Sequence, residues 1–253
     1  MAIAITETLE EFGEVKQESL AANFGRHYVA DPQRGYGPAM HKLLPELARI
    51  PSRWIDMSRA LFNGSGSFGN GSAMRVAPLG AYFADDFETL IEQAEKSAVP
   101  THCHSEGIAG AIAVAVAAAL ACAHRDTPLS PNNFLGAICE HTPNSAVQDG
   151  ILRALSLPHD VSVETAVHTL GNGAKVSAQD TVPFSLWAAA YHLENYEAAL
   201  WTTVSGLGDR DTTCAIVGGI VAMSAGADCI PPTWIECREP IPAWFLYPSP
   251  NQN

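Results

Sequence analysis

Gly107-Ile108-Ala109-Gly110-Ala111-Ile112-Ala113-Val114-Ala115-Val116-Ala117-Ala118-Ala119-Leu120-Ala121-Cys122-Ala123-His124 runs for 18 residues without a single Asp, Glu, Lys or Arg. That length is the lower edge of a membrane span. Half of its residues are alanine, which partitions weakly into lipid, and His102, His104 and Glu106 stand directly before it. The spacing therefore predicts a helix buried on all sides inside a large helical protein, and no membrane partner. If one helix is apolar all round, others must surround it.

The rest of the chain supplies them. Helical composition or spacing recurs over residues 1–12, 87–98, 133–140, 145–155, 163–170, 182–193, 196–204 and 213–225. Between these stretches stand Pro100-Thr101, Pro131-Asn132, Pro143-Asn144, Pro158-His159-Asp160 and Gly171-Asn172-Gly173, the expected punctuation. No alternating β-branched run with a hairpin turn occurs, and no repeat period or low-complexity linker. The expectation is an all-α multi-helix bundle forming one domain over residues 1–253. The tail from Arg238, with four prolines, is expected to lie extended over the surface.

Composition narrows the class. Of 253 residues, 47% are hydrophobic and 16% charged, enough to bury a large core. The net charge is −13 and the arginines are scattered, which argues against a nucleic-acid groove or an anionic membrane surface. Six cysteines form no CxxC pair, so neither a zinc ribbon nor a dithiol redox site is indicated. Reduced thiols, and a Met1 not followed by a basic segment and cleavage site, predict a cytoplasmic protein.

Two stretches carry chemistry. The first is Gly206-Leu207-Gly208-Asp209-Arg210-Asp211-Thr212-Thr213, which enters the small-residue segment Cys214 to Ala225. Two carboxylates and a hydroxyl on a glycine-preceded turn suit a hard divalent cation. The same acids also suit a helix N-terminus, where they would satisfy free N–H groups and the dipole. Spacing alone leaves both readings open.

The second stretch is Asn63-Gly64-Ser65-Gly66-Ser67-Phe68-Gly69-Asn70-Gly71-Ser72, whose glycines would let backbone amides converge on a phosphate. Gly64, Gly66 and Gly69 formally match GxGxxG, with Asp85 about 20 residues on. However, Trp54, Met57, Leu61 and Phe62 before the loop have helical spacing, so a dinucleotide fold is rejected. No Gly-Lys-Ser/Thr follows, which excludes a Walker A loop. Phe68 and the following Ala73-Met74-Arg75-Val76-Ala77 favour an ordered loop over a flexible one. Thr101-His102-Cys103-His104-Ser105-Glu106 is expected to cap a helix while one histidine points into a polar pocket. Gln179-Asp180-Thr181 reads as a plain cap, with Pro183 in the first turn of the helix.

Taken together these motifs resemble the ADP-ribosylglycohydrolase family over nearly the whole chain. The resemblance rests on Ser67 to Gly80, on Thr101-His102 with its small-residue helix, and on Gly208-Asp209-Arg210-Asp211-Thr212. It implies an orthogonal all-α bundle with a binuclear Mg²⁺ or Mn²⁺ centre, and a hydrolase that cleaves the glycosidic bond between ADP-ribose and an acceptor. The partner would be an ADP-ribosylated protein or a small molecule containing ADP-ribose. By the same resemblance Asp209, Asp211 and Thr212 are metal ligands, and His102 lines the pocket. Gly66, Ser67, Phe68, Gly69, Asn70 and Gly71 hold the diphosphate and adjoining ribose.

The chain also departs from the family pattern. A Gly-Asp-Ala-type segment with a catalytic acid and a Thr-Asp-Asp-Thr run normally precede the helix at Met1 to Leu9, and neither occurs here. Half of the metal shell is therefore expected to be missing, leaving no assigned catalytic residue and one ion at most, weakly held. A degenerate ADP-ribose binder, or a structural protein like the crystallin relatives, is the alternative.

Overall fold

The computed structural model describes residues 1–241; the expected extended course of the tail beyond them lies outside the described residues. Among the described residues fourteen α-helices follow one another: α1 (Ala2–Phe12), α2 (Gln17–Ala30), α3 (Met40–Arg49), α4 (Trp54–Ala60), α5 (Ala77–Tyr82), α6 (Phe87–Ala98), α7 (Ser105–Ala123), α8 (Pro131–His141), α9 (Ala146–Ser156), α10 (Val163–Leu170), α11 (Ala178–Ala190), α12 (Tyr196–Ser205), α13 (Arg210–Ala225) and α14 (Pro232–Cys237). Among the described residues there is no strand, only one isolated antiparallel bridge between Gly69 and Ser177. The fold is all-α, as the spacing predicts.

The uncharged stretch becomes α7, a central helix of the bundle. It packs against α5, α6, α8, α9, α11 and α13. By length and composition it could cross a membrane, yet 78% of its most apolar window is buried inside the fold. Its small side chains serve that burial, because the surrounding helices can approach closely only where alanine and glycine face them. At Gly80 of α5, for example, an added Cβ would stand 2.3 Å from the Ala115 carbonyl oxygen of α7.

Local signals set the helix ends. Asp86 accepts the Thr89 N–H at 3.1 Å to start α6, and Ser145 accepts the Gln148 N–H at 3.1 Å to start α9. Ser162 and Asn195 do the same for α10 and α12. One cap crosses between elements: the Glu106 carboxylate of α7 accepts the Ala146 and Val147 amides at 2.8 and 3.1 Å, fixing the N-terminus of α9.

The start of α11 differs from the cap expected at Gln179-Asp180-Thr181. The helix begins at Ala178, so Pro183 falls in its interior rather than its first turn, and Ser177 makes no side-chain cap. Asp180 instead accepts the Lys175 amide at 3.0 Å, turning its carboxylate back onto the preceding loop. Pro183 is accommodated because Gly150 of α9 faces it, where an added Cβ would lie 2.3 Å from the ring.

Candidate active site

The glycine loop is ordered and wedged between two helix entries. Ala178 donates its amide to the Phe68 carbonyl at 2.9 Å, extending the Gly69–Ser177 bridge. On the other side the Ser72 hydroxyl donates to the Gly107 carbonyl at 2.8 Å, and a Cβ at Gly107 would come within 2.8 Å of the Ser67 carbonyl oxygen. Gly66 sits at φ +72°, and a Cβ there would collide with the Cys103 sulfur at 2.5 Å, so only glycine fits. Ser67 and Asn70 are buried, while Phe68 is exposed, with Phe62 at 6.2 Å and the His104 ring edge-on at 5.5 Å.

One of the two histidines caps α7, as the sequence predicts. His104 is the N-cap of α7, its Nδ1 accepting the Glu106 amide at 3.1 Å. His102 is buried beneath the glycine loop: a Cβ at Gly69 or Gly71 would lie 3.3 or 3.2 Å from its Nε2. The two glycines thus let the backbone lie flat on the ring. Burial, reinforced by the nearby Arg75 guanidinium, lowers the His102 pKa to about 3, so the imidazole is neutral at physiological pH.

The acidic turn opens α13. Asp209 is the N-cap residue of α13, but its side chain makes no capping hydrogen bond. Its carboxylate instead accepts the Asn70 Nδ2 at 2.8 Å, across 139 residues of sequence. The same Nδ2 reaches the Thr181 hydroxyl oxygen at 3.0 Å, and Thr181 passes its own proton to the Ser177 carbonyl at 2.8 Å. Asn70 is therefore held with its amide nitrogen toward Asp209. Burial and then the neighbouring Asp211 carboxylate push the Asp209 pKa up, against the pull of Asn70 and Thr212. Asp211, more open, is held below the usual carboxylate range.

A second loop clasps this turn. The Asn172 carbonyl accepts the Asp209 amide at 3.1 Å, and the Asn172 side chain donates to the Gly206 carbonyl at 2.9 Å. Gly208, at φ +65°, leaves no room for a Cβ, which would stand 2.3 Å from the Asn172 carbonyl oxygen. Phe62, Asn63, Val176 and Leu207 all adopt left-handed backbone angles, and all lie in the loops that converge here. Such strain costs about 1–3 kcal/mol per residue and persists where the surroundings over-determine it.

The structure thus joins the predicted residues into one constellation. Gly66 to Gly71 lies over His102, and Asn70 links that loop to Asp209, with Asp211 and Thr212 on the following turn. Sequence reasoning gives no site role to Thr181, Asn172, Arg75 or Thr101. Thr181 stands in a stretch read as a cap, Asn172 in a plain turn, and Arg75 and Thr101 inside motifs whose other residues carry the chemistry. As a donor set for a hard cation, Asp209, Asp211 and the Thr212 hydroxyl are oxygen groups on one helical turn, and the Thr212 hydroxyl lies near both the Asp209 carboxylate and Met74 Sδ, the latter at 3.9 Å. By donor type they could hold one divalent ion if water completed its shell. No group of three His, Cys, Asp or Glu side chains suited to a metal occurs among the described residues.

Comparison with known proteins agrees with this architecture. The model of a family described as ADP-ribosylglycohydrolase matches residues 1–246. The chain is 30% identical to ADP-ribosylhydrolase ARH3 of Homo sapiens, over 94% of its own length and 73% of that protein. It is 29% identical to ARH3 of Gallus gallus, over 94% and 72%, and 30% identical to an uncharacterized protein of Archaeoglobus fulgidus, over 92% and 72%. A solved structure titled ADP-ribosylglycohydrolase-related protein complex superposes with a TM-score of 0.58, at 19% identity, over 93% of this chain and 72% of that one. At that identity the superposition speaks to the fold.

Proposed function

Since the chain belongs to the ADP-ribosylglycohydrolase family, we propose that it is a metal-dependent hydrolase acting on the glycosidic bond between ADP-ribose and an acceptor. The observation that carries this reading is the Asn70–Asp209 hydrogen bond at 2.8 Å, which couples the glycine loop to the acidic turn. In the proposal that loop receives the diphosphate and adjoining ribose through backbone amides and the floor formed by His102. Asp209, Asp211 and Thr212 would hold Mg²⁺ or Mn²⁺ beside it. When bound, such an ion orients ribose hydroxyls and lowers the pKa of a coordinated water.

The remaining work belongs to the protein. The raised pKa of Asp209 reflects burial first and the neighbouring Asp211 carboxylate second, and a bound cation would offset both. Asn70 keeps the Asp209 carboxylate turned toward the loop, and the Asn172 clasp keeps the turn itself in place. The exposed ring of Phe68 stands at the outer edge, next to Phe62 and His104.

Calorimetric titration of Mn²⁺ into this chain and into Asp211→Ala, with and without ADP-ribose, tests the metal assignment. Binding that is present in the parent and lost in the variant supports it; binding unchanged in Asp211→Ala overturns it. Turnover of ADP-ribosylarginine supports the hydrolase. Binding of ADP-ribose without turnover, and without need of metal, replaces it with the non-catalytic binder. Neither binding nor turnover would place the chain with structural relatives.

A further inference from the structure

Arg75 is buried, and among the described residues no carboxylate lies within ion-pair distance of it. An uncompensated buried charge is expensive, so its retention calls for a reason. The guanidinium stands 4.4 Å over the Phe24 ring, and one nitrogen donates to the Ser97 carbonyl at 2.9 Å and to the Thr101 hydroxyl oxygen at 2.8 Å. Its Nε finds no partner. Thr101 Oγ1 in turn lies 2.7 Å from His102 Nδ1.

The proton positions along this chain follow from counting donors. A guanidinium only donates, so Thr101 Oγ1 accepts from Arg75. The threonine hydroxyl has one proton and two places to put it. The Ala98 carbonyl is 3.4 Å away and already accepts two backbone amides, from Thr101 at 3.1 Å and His102 at 2.9 Å. His102 Nδ1 is nearer and unoccupied by any other partner. A hydroxyl proton directed at Nδ1 requires Nδ1 to be an acceptor, and in a neutral ring the proton then resides on Nε2.

We propose that Arg75, acting through Thr101, is a positioning residue that fixes the His102 proton on Nε2, so that the ring offers a hydrogen-bond donor on the side of the Gly69–Gly71 loop. An arginine suits this task because it never accepts, whereas a hydroxyl or amide in its place could reverse the chain. The ligand atom that meets Nε2 must then be an acceptor, such as a phosphoryl or ribose oxygen. The identity of that ligand rests on the ADP-ribose reading; the tautomer does not.

The tautomer is directly measurable. In uniformly ¹⁵N-labelled protein, long-range correlations from the imidazole carbon-bound protons distinguish the protonated from the bare ring nitrogen, and the His102→Gln spectrum identifies the His102 signals among nine histidines. The expected result is a pure Nε2–H form in the parent and in Thr101→Ser, and a mixed or Nδ1–H form in Thr101→Val and Arg75→Met. ADP-ribose affinity should fall about tenfold in Thr101→Val, as for one oriented hydrogen bond, and return in Thr101→Ser. An Nδ1–H ring in the parent, or an unchanged Nε2–H ring in Thr101→Val, overturns the proposal. The parent spectrum decides the first point even if a variant does not fold. Absence of ADP-ribose binding by the parent would defeat the functional reading alone, since the spectra are recorded without ligand.

Discussion

His102 shows how one residue ties stability to the site. Its folded-state pKa is about 3, lowered by burial and by Arg75, while an exposed histidine titrates near 6.5. On acidification the unfolded chain therefore takes up a proton that the folded chain refuses, and stability falls as pH drops below about 6.5. Between pH 7 and pH 5 this one group should cost up to about 2 kcal/mol by linkage. Urea midpoints at the two pH values should fall further apart in the parent than in His102→Gln. Equal shifts would mean that the buried ring is not the source. At this scale the sequence was informative where chemistry is written in residue type. Two aspartates and a threonine after Gly208, or glycines crowded around Asn70, announce themselves. Thr181 and Asn172 do not, because a lone threonine or asparagine acquires its role only from what lies across the fold; Asn70 and Thr181 are 111 residues apart.

At the scale of elements, legibility followed apolar spacing and punctuation. α6 to α10, α12 and α13 match their predicted stretches within a few residues because proline, glycine and cap residues bound them. The segment that becomes α2 and α3 was not singled out. In α2 the N-cap residue Lys16 makes no side-chain cap, and Gly25, a poor helix former, stands in the helix interior. In α3 Pro45 stands inside the helix, although Met40, Leu43, Leu44 and Leu47 form a full buried stripe. The structure explains Gly25: a Cβ there would lie 2.4 Å from the Ala48 amide nitrogen and 2.6 Å from its Cα, in the backbone of α3. The glycine that weakens α2 as an isolated helix is what lets the pair close. Gly25→Ala should therefore destabilise the protein by about 1–3 kcal/mol, the usual cost of overpacking, despite alanine's better helix propensity. Chemical denaturation reads this directly, and an unchanged or increased midpoint would show that α3 yields without cost.

Over the whole molecule, the site is assembled from stretches that meet only when the bundle is complete. The glycine loop precedes α5, His102 joins α6 to α7, the Asn172 loop precedes α11, and Asp209 opens α13. No local segment contains the site, so a ligand that binds it binds the folded state alone. ADP-ribose at about 100 times its dissociation constant should then add about 2.7 kcal/mol to the unfolding free energy. The atoms nearest a Cβ at Gly25 all belong to Ala48 of α3, and only the neighbouring Phe24, under the Arg75 guanidinium, leads toward the site, so Gly25→Ala should lose stability yet gain nearly the same ligand increment as the parent. Thr101→Val should lose on both counts: stability, because it leaves Arg75 and His102 Nδ1 without their buried hydroxyl partner, and ligand increment, which shrinks by about 1.4 kcal/mol at the same ligand concentration, the equivalent of a tenfold weaker complex. Thermal or urea unfolding of the three proteins, each with and without ADP-ribose, separates a defect of packing from a defect of the site. If Gly25→Ala also loses the ligand increment, the α2–α3 pair is coupled to the site, and the independence argued from its contacts fails.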